Sequence, residues 1–157
     1  NVLGSRGSIV DLLLKKENVQ ITDPTMTRFW LSIEDAIGLT KFAIENGSSN
    51  EIFVPKMKSL TMEKLFSYMC PEQTFDVCGK RAGEKKHECM ISQVDLENTY
   101  DLGYCYGIKT NGSNGWLEQK PKIALKSYTS DAVEEFTKTE FDTMLKDSVI
   151  NEINKIF

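Results

Sequence analysis

The chain has 157 residues, 40% hydrophobic and 27% charged, the size and composition of one globular domain with its own core rather than of a disordered segment. Nineteen Lys and Arg against 23 Asp and Glu leave a net charge of −4, with no stretch that gathers the cations on one face, so nucleic acid is not an expected partner. The longest apolar run, Ile9–Leu14, is interrupted by Asp11 and falls far short of the roughly 20 residues a membrane-spanning helix needs, so no membrane contact is expected from this segment.

In chain order, Asn1-Val2-Leu3 reads as the end of a strand, and Gly4-Ser5-Arg6-Gly7-Ser8 as a small-residue turn leading into an apolar helix over Ile9–Lys16. Strand, glycine-rich turn and helix together make a geometry that holds anions, though many such turns hold none. Ile21-Thr22-Asp23-Pro24 enters a turn, and Thr27–Leu31 is extended. Ser32 is placed as an N-cap with Glu34 and Asp35 in the first turn. The apolar face of the helix that follows is predicted as Ile33, Ala36, Ile37, Thr40, Ala43 and Ile44, with Gly47 ending it.

Glu51–Pro55 is a predicted strand, and Thr61 caps a helix whose apolar face is Met62, Leu65, Phe66 and Met69. A strand over Thr74–Cys78 empties into the basic loop Gly79–Lys85. Cys89–Ile91 reads as apolar filling under that loop, Ser92 with Asp95 as the start of a short helix, Tyr104–Ile108 as a strand and Asn111–Gly115 as a tip. Thr137-Lys138-Thr139-Glu140 is a capping box for a terminal helix with Phe141, Met144, Leu145, Val149, Ile150 and Ile153 along one face.

Cys70, Cys78, Cys89 and Cys105 are too widely spaced for a paired zinc motif, and there is one histidine, so no metal site is predicted. The four are read as reduced, mostly buried thiols, and His87, between lysines and Glu88, as a surface residue. There is no Gly-x-Ser-x-Gly, no Walker loop, no Gly-x-Gly-x-x-Gly and no Tyr-x-x-x-Lys, so no catalytic residue is assigned in this chain and no cofactor is expected on it alone. Binding residues are easier to find. Arg6, Arg28 and Arg81 all lie in turns or at strand ends, and arginine's planar fork suits bidentate phosphate recognition. Three forks from separate segments would clamp a diphosphate, with Glu84 accepting from ribose hydroxyls; surface arginines are the alternative.

Four blocks carry a resemblance: Asn1–Ser8, Ile21–Trp30, Glu51–Lys56, and Arg81–Lys85 with His87-Glu88 and Met90–Ser92. In this order they resemble the UDP-N-acetylglucosamine 4,6-dehydratases of bacterial surface-sugar biosynthesis, extended short-chain dehydrogenase/reductases. The likeness is greatest to the C5-inverting members that open the pseudaminic acid pathway. It runs from Asn1 to Ile108 and more loosely to Ser130, and matches only the C-terminal part of such an enzyme. Together with the missing initiator Met, that leads us to expect the remainder of a longer protein.

The resemblance implies an α/β fold of Rossmann type, of which residues 1–157 are mainly the mixed α+β lobe that binds the nucleotide sugar, as a single unit. It implies that Asn1 and Arg6 face the nucleotide sugar, that Arg28 and Arg81 reach the diphosphate, and that Glu84 meets the ribose. It further implies NADP or NAD in the intact, cytoplasmic, homo-oligomeric enzyme, which would oxidise UDP-N-acetylglucosamine at C4, eliminate water across C5 and C6 and return the hydride to C6. The rivals are a UDP-N-acetylglucosamine 4-epimerase with the same grip, and a non-catalytic fragment that binds UDP or serves oligomerisation. Two departures from the family stand out: Ala82 takes the place of the usual proline, and the stretch between Ser8 and Ile21 is shorter.

Overall fold

The computed structural model of the protein describes residues 2–5, 8–14 and 20–153, a mixed α/β arrangement. In chain order the described elements are α1 (Ile9–Leu14), β1 (Gln20–Ile21), β2 (Thr27–Trp30), α2 (Ile33–Asn46), β3 (Glu51–Pro55), β4 (Lys58–Thr61), α3 (Met62–Met69), β5 (Asp76–Val77), β6 (Cys89–Ile91), β7 (Thr99–Asp101), β8 (Cys105–Lys109), β9 (Tyr128–Thr129) and α4 (Lys138–Ile153). The strands are short and pair in separate small sheets: β1 parallel to β5, β2 antiparallel to β4, the antiparallel order β3-β8-β7, and β6 antiparallel to β9. Val2 forms an isolated parallel bridge to Leu31.

Side-chain caps fix where the long helices begin. Ser32 Oγ accepts the Asp35 N–H at 3.0 Å, and Thr61 Oγ1 accepts that of Lys64 at 3.2 Å, each satisfying a donor the first turn leaves open. At α4 the capping box closes both ways: Thr137 N–H donates to Glu140 Oε2 at 2.9 Å, and Glu140 N–H donates to Thr137 Oγ1 at 3.3 Å. These three starts are where the capping residues predict them.

The core has two parts, divided by β2. On one side Leu3, Val10, Ile21, Trp30, Leu60, Leu65, Phe66 and Phe141 are buried together, from α1, α3, α4 and the strands between them. On the other, Phe29, Val54, Ile91, Ile108 and Tyr128 close over the β3-β8-β7 sheet. Adjacent residues of a strand point to opposite faces, so Phe29 serves one part and Trp30 the other.

Several expectations are corrected. No residue of α2 is buried; Ile37 and Ile44 are 59% and 79% exposed, so the predicted apolar face is largely the outer one. The helix packs instead through Gly38 and Phe42. Phe42 meets the rings of Phe53 and Tyr104, with centroids 5.8 and 5.9 Å away, and a Cβ on Gly38 would lie 2.8 Å from the Tyr104 hydroxyl. Gly47 does end α2, but in an extended conformation (φ −76°). Glycine is needed there because a Cβ would fall 2.5 Å from the Ala43 carbonyl oxygen.

Cys89–Ile91 is a strand rather than filling, with Ile91 buried and Met90 44% exposed. Strands β4, β7 and β9 went unpredicted because two to four residues show no periodicity; their partners make them strands. All four cysteines are free thiols, and only Cys70 and Cys105 are buried. Burial pushes the Cys105 thiol up to about 11. Of the predicted helix Ile9–Lys16, the last two residues lie outside the described residues, as do the side chains of Val149, Ile150 and Ile153. Among the described residues no helix is long and apolar enough to cross a membrane.

Candidate functional site

The loop between β5 and β6 is held at many points by the chain around residues 22–29. Its centre is a β-turn over Arg81–Glu84, closed by the Glu84 N–H donating to the Arg81 carbonyl at 3.1 Å. Gly83 occupies the third position with φ 80°, a left-handed conformation that glycine adopts without strain. Ala82 stands at the second position, where proline would preset the backbone.

The Glu84 carboxylate faces back into the protein. It accepts the Thr22 hydroxyl at 3.0 Å and the Arg81 N–H at 3.1 Å, and lies 3.8 Å from the Arg28 guanidinium. The Arg81 backbone N–H, followed by the Thr22 hydroxyl and the charges of Arg28 and Arg81, holds this carboxyl below the usual carboxylate range against some loss of hydration. With three neighbours around roughly four acceptor positions, it keeps room for one incoming hydroxyl. Lys80 adds an ion pair to Asp23 at 3.1 Å. The Thr25 hydroxyl and N–H, and then Lys80, hold the Asp23 carboxyl down at about 2.

Arg28, on β2, is the hub. One guanidinium nitrogen donates to the carbonyls of Thr27 at 2.8 Å and Lys86 at 3.1 Å. The group also lies 3.8 Å from Glu84 and 3.9 Å from Glu88. Beside it, Thr27 N–H donates to the Lys86 carbonyl, Phe29 N–H donates to Glu88 Oε2, and Thr27 Oγ1 lies 2.8 Å from His87 Nδ1 and 2.6 Å from the buried Ser130 hydroxyl. His87 is therefore half-buried and bonded, not the loose surface residue the sequence suggests. This lacing matters because it fixes where Arg81 projects.

Arg28, Arg81 and Glu84 line one cleft of about 560 Å³, with Thr22 and Asp76 as further polar groups and Ile9, Ile21, Met26, Trp30 and Met62 as the apolar walls. Three of the five predicted site residues are thus brought together. Asn1 and Arg6 lie outside the described residues. Arg81 is exposed and its guanidinium carries no hydrogen bond or ion pair among the described residues, whereas Arg28 is already engaged by the loop. The two arginines are unlike: one is available to a ligand and the other holds the loop that presents it.

Thr22 and Trp30 belong to the site and were not singled out in the sequence. Both fall inside the Ile21–Trp30 block, but nothing in a lone Thr or Trp marks a cleft-lining residue. The Ser8 hydroxyl accepts the Asp11 N–H at 3.2 Å at the start of α1, so that helix end already has a partner. Among the described residues no three His, Cys, Asp or Glu side chains are grouped to hold a metal ion. The glycine fingerprint of a dinucleotide-binding turn is absent from the sequence.

The chain is similar to several known proteins. A family model described as polysaccharide biosynthesis protein matches residues 1–110. A UDP-N-acetylglucosamine 4,6-dehydratase (inverting) of Campylobacter jejuni is 40% identical over 113 residues, covering 69% of this chain and 34% of the relative. A UDP-glucose 4-epimerase of Rickettsia typhi is 34% identical over 144 residues, covering 83% of this chain and 42% of the relative. The X-ray structure of Pen from Bacillus thuringiensis superposes with a TM-score of 0.82 at 24% identity, over 94% of this chain and 47% of that one, which shows a shared fold. The chain thus spans between a third and a half of the length of the proteins it matches.

Proposed function

The chain belongs to the polysaccharide biosynthesis protein family, and from that premise we propose that it is the UDP-sugar-binding part of a UDP-N-acetylglucosamine 4,6-dehydratase. The observation that carries the reading is the convergence of Arg28, Arg81 and Glu84 on one cleft from β2 and a laced loop. The exposed Arg81 fork takes the diphosphate of UDP-N-acetylglucosamine, and the partly satisfied Glu84 carboxylate accepts a ribose hydroxyl. Arg28 neutralises part of the diphosphate charge while keeping the loop in place. Asn1 and Arg6 complete the grip near the sugar.

The chemistry at C4, C5 and C6 belongs to residues and an NADP or NAD cofactor that this chain does not carry. What these residues do is bind, orient and neutralise the substrate. The setting is bacterial surface-glycan biosynthesis in the cytoplasm, the intact enzyme is a homo-oligomer, the product is a UDP-4-keto-6-deoxy-N-acetylhexosamine with C5 inverted, and the 157 residues act as one lobe.

A 4-epimerase is the second reading, favoured by the longer span, though lower identity, over which the Rickettsia relative matches. Product mass separates the two: the dehydratase product is lighter by one water, the epimer unchanged. The grip itself is tested by calorimetric titration of UDP into the intact protein and its Arg81→Ala variant. We expect a dissociation constant at least 10-fold higher for the variant, since a hydrogen bond to a charged group contributes about 1.5–3 kcal/mol. Equal affinities would remove Arg81 from the clamp.

A further inference from the structure

Among the described residues, two buried side-chain polar atoms have no hydrogen-bond partner: Trp30 Nε1 and Ser59 Oγ. A serine hydroxyl rotates about its bond and both donates and accepts, and Ser59 is fully buried between β2 and the Glu135 segment. Trp30 differs in every respect. An indole N–H only donates, in a direction fixed by the ring, and leaving such a group buried and unbonded costs stability. Trp30 is 4% exposed, yet its ring forms part of the wall of the cleft that holds Arg28, Arg81 and Glu84.

Its position within the cleft follows from the strand. Residues two apart on a strand share a face, so Trp30 stands on the same face of β2 as Arg28, roughly 7 Å farther along at about 3.4 Å per residue. Around Arg28 the cleft is charged. Trp30 itself is set among apolar residues, in one buried cluster with Leu3, Val10 and Phe141, whose ring centroid is 6.2 Å away. Phosphate oxygens belong at the charged end, because an ionised group among apolar side chains is strongly disfavoured. A neutral donor in apolar surroundings suits a neutral acceptor. Trp30 also borders a hollow toward α4, where two of the lining carboxylates are bonded elsewhere, Asp35 to Ser32 and Glu140 to Lys58 and Thr137.

We propose that Trp30 is a positioning residue for the sugar end of the ligand: its Nε1–H donates to an uncharged oxygen of the hexose, a hydroxyl or an amide carbonyl, beyond the diphosphate held at the arginines. The proposal rests on the nucleotide-sugar reading of the cleft. It assigns the apolar end of the cleft to the hexose and the charged end to the diphosphate.

The indole N–H signal in nitrogen-15 NMR tests it directly, because the chain carries an internal control: Trp116 Nε1 already donates to Glu51 Oε2 at 2.8 Å. In the intact labelled protein, the resonance that Trp30→Phe removes should shift when UDP-N-acetylglucosamine or UDP-glucose is added and stay in place with UDP, while the Trp116 signal stays put throughout. A shift with the acetamido sugar alone identifies the carbonyl as acceptor; a shift with both identifies a hydroxyl. Trp30→Phe, which keeps an aromatic ring, should weaken UDP-sugar binding about 5- to 10-fold and leave UDP binding unchanged. If the sugar binds by calorimetry and the Trp30 signal does not move, or moves equally with UDP, the hexose assignment is wrong and the UDP grip survives. If neither UDP nor the sugars bind, both the assignment and the grip fall.

Discussion

Helices α2 and α3 carry the same kind of apolar periodicity and the same kind of cap, yet the protein uses them in opposite ways. In α3, Met62, Leu65 and Phe66 are buried against the core that floors the cleft. In α2, the isoleucine stripe faces outward and contact with the rest of the chain is left to Gly38 and Phe42. Helical spacing establishes that a helix forms. Which face is buried depends on what the neighbouring elements present: around α3 a wall of Val10, Leu60 and Phe141, around α2 two aromatic rings that reach in where glycine leaves space. A helix with apolar residues on more than one side has two surfaces to offer, and periodicity does not rank them.

The sharpest way to break this contrast is to truncate one residue on each stripe. Leu65 is fully buried, and in the 157-residue chain Leu65→Ala should lower unfolding stability by about 2–5 kcal/mol through lost transfer energy and the cavity left behind. Ile44→Ala should change it by no more than about 0.5 kcal/mol, as at other exposed positions. Urea denaturation with unchanged slopes reads both. A loss at Ile44 approaching that at Leu65 would mean that the outward stripe is covered in solution.

The caps give a smaller, paired test. Thr61→Ala and Ser32→Ala each remove an acceptor from the first turn of a helix and should cost about 1 kcal/mol. They should differ in where the cost shows. Because α3 is embedded in the core, its cap loss should appear in the global unfolding midpoint. Because α2 has no buried residue, its cap loss should appear first as faster amide exchange along Ile33–Asn46. Equal exchange behaviour in the two helices would erase the distinction.

The same division governs what could be read in advance. Features written in adjacent residues were legible: the caps at Ser32 and Thr61, the box Thr137–Glu140, the strand Glu51–Pro55. Features created by long-range pairing were not. Strand β4 is Lys-Ser-Leu-Thr, which has no strand signature until it lies beside β2. Within the site, Arg6, Arg28, Arg81 and Glu84 suggested a clamp by residue type and placement, and the family resemblance implied a role for each of them and for Asn1. That Arg28 is committed to the Lys86 carbonyl and Trp30 leaves its N–H unbonded depends on residues brought together by folding, out of reach of any local pattern.

The smallest effect tests whether the laced side of the molecule has any slack left. Ala82 sits at the second position of the Arg81–Glu84 turn, ahead of Gly83 at φ 80°, and its N–H makes no hydrogen bond among the described residues, so a proline there removes no bond. Ala82→Pro restricts the unfolded chain and should stabilise by about 0.4–1 kcal/mol. On α2, stiffening would leave ligand affinity alone; here the turn carries Arg81, so the same restriction fixes the guanidinium before the ligand arrives. UDP should bind about 2- to 5-fold more tightly, because less ordering is left to binding. The two effects separate two origins of rigidity. If stability rises and affinity does not, the loop was already held in its binding shape by Thr22, Arg28 and Lys80, and these contacts do what a proline at position 82 would do.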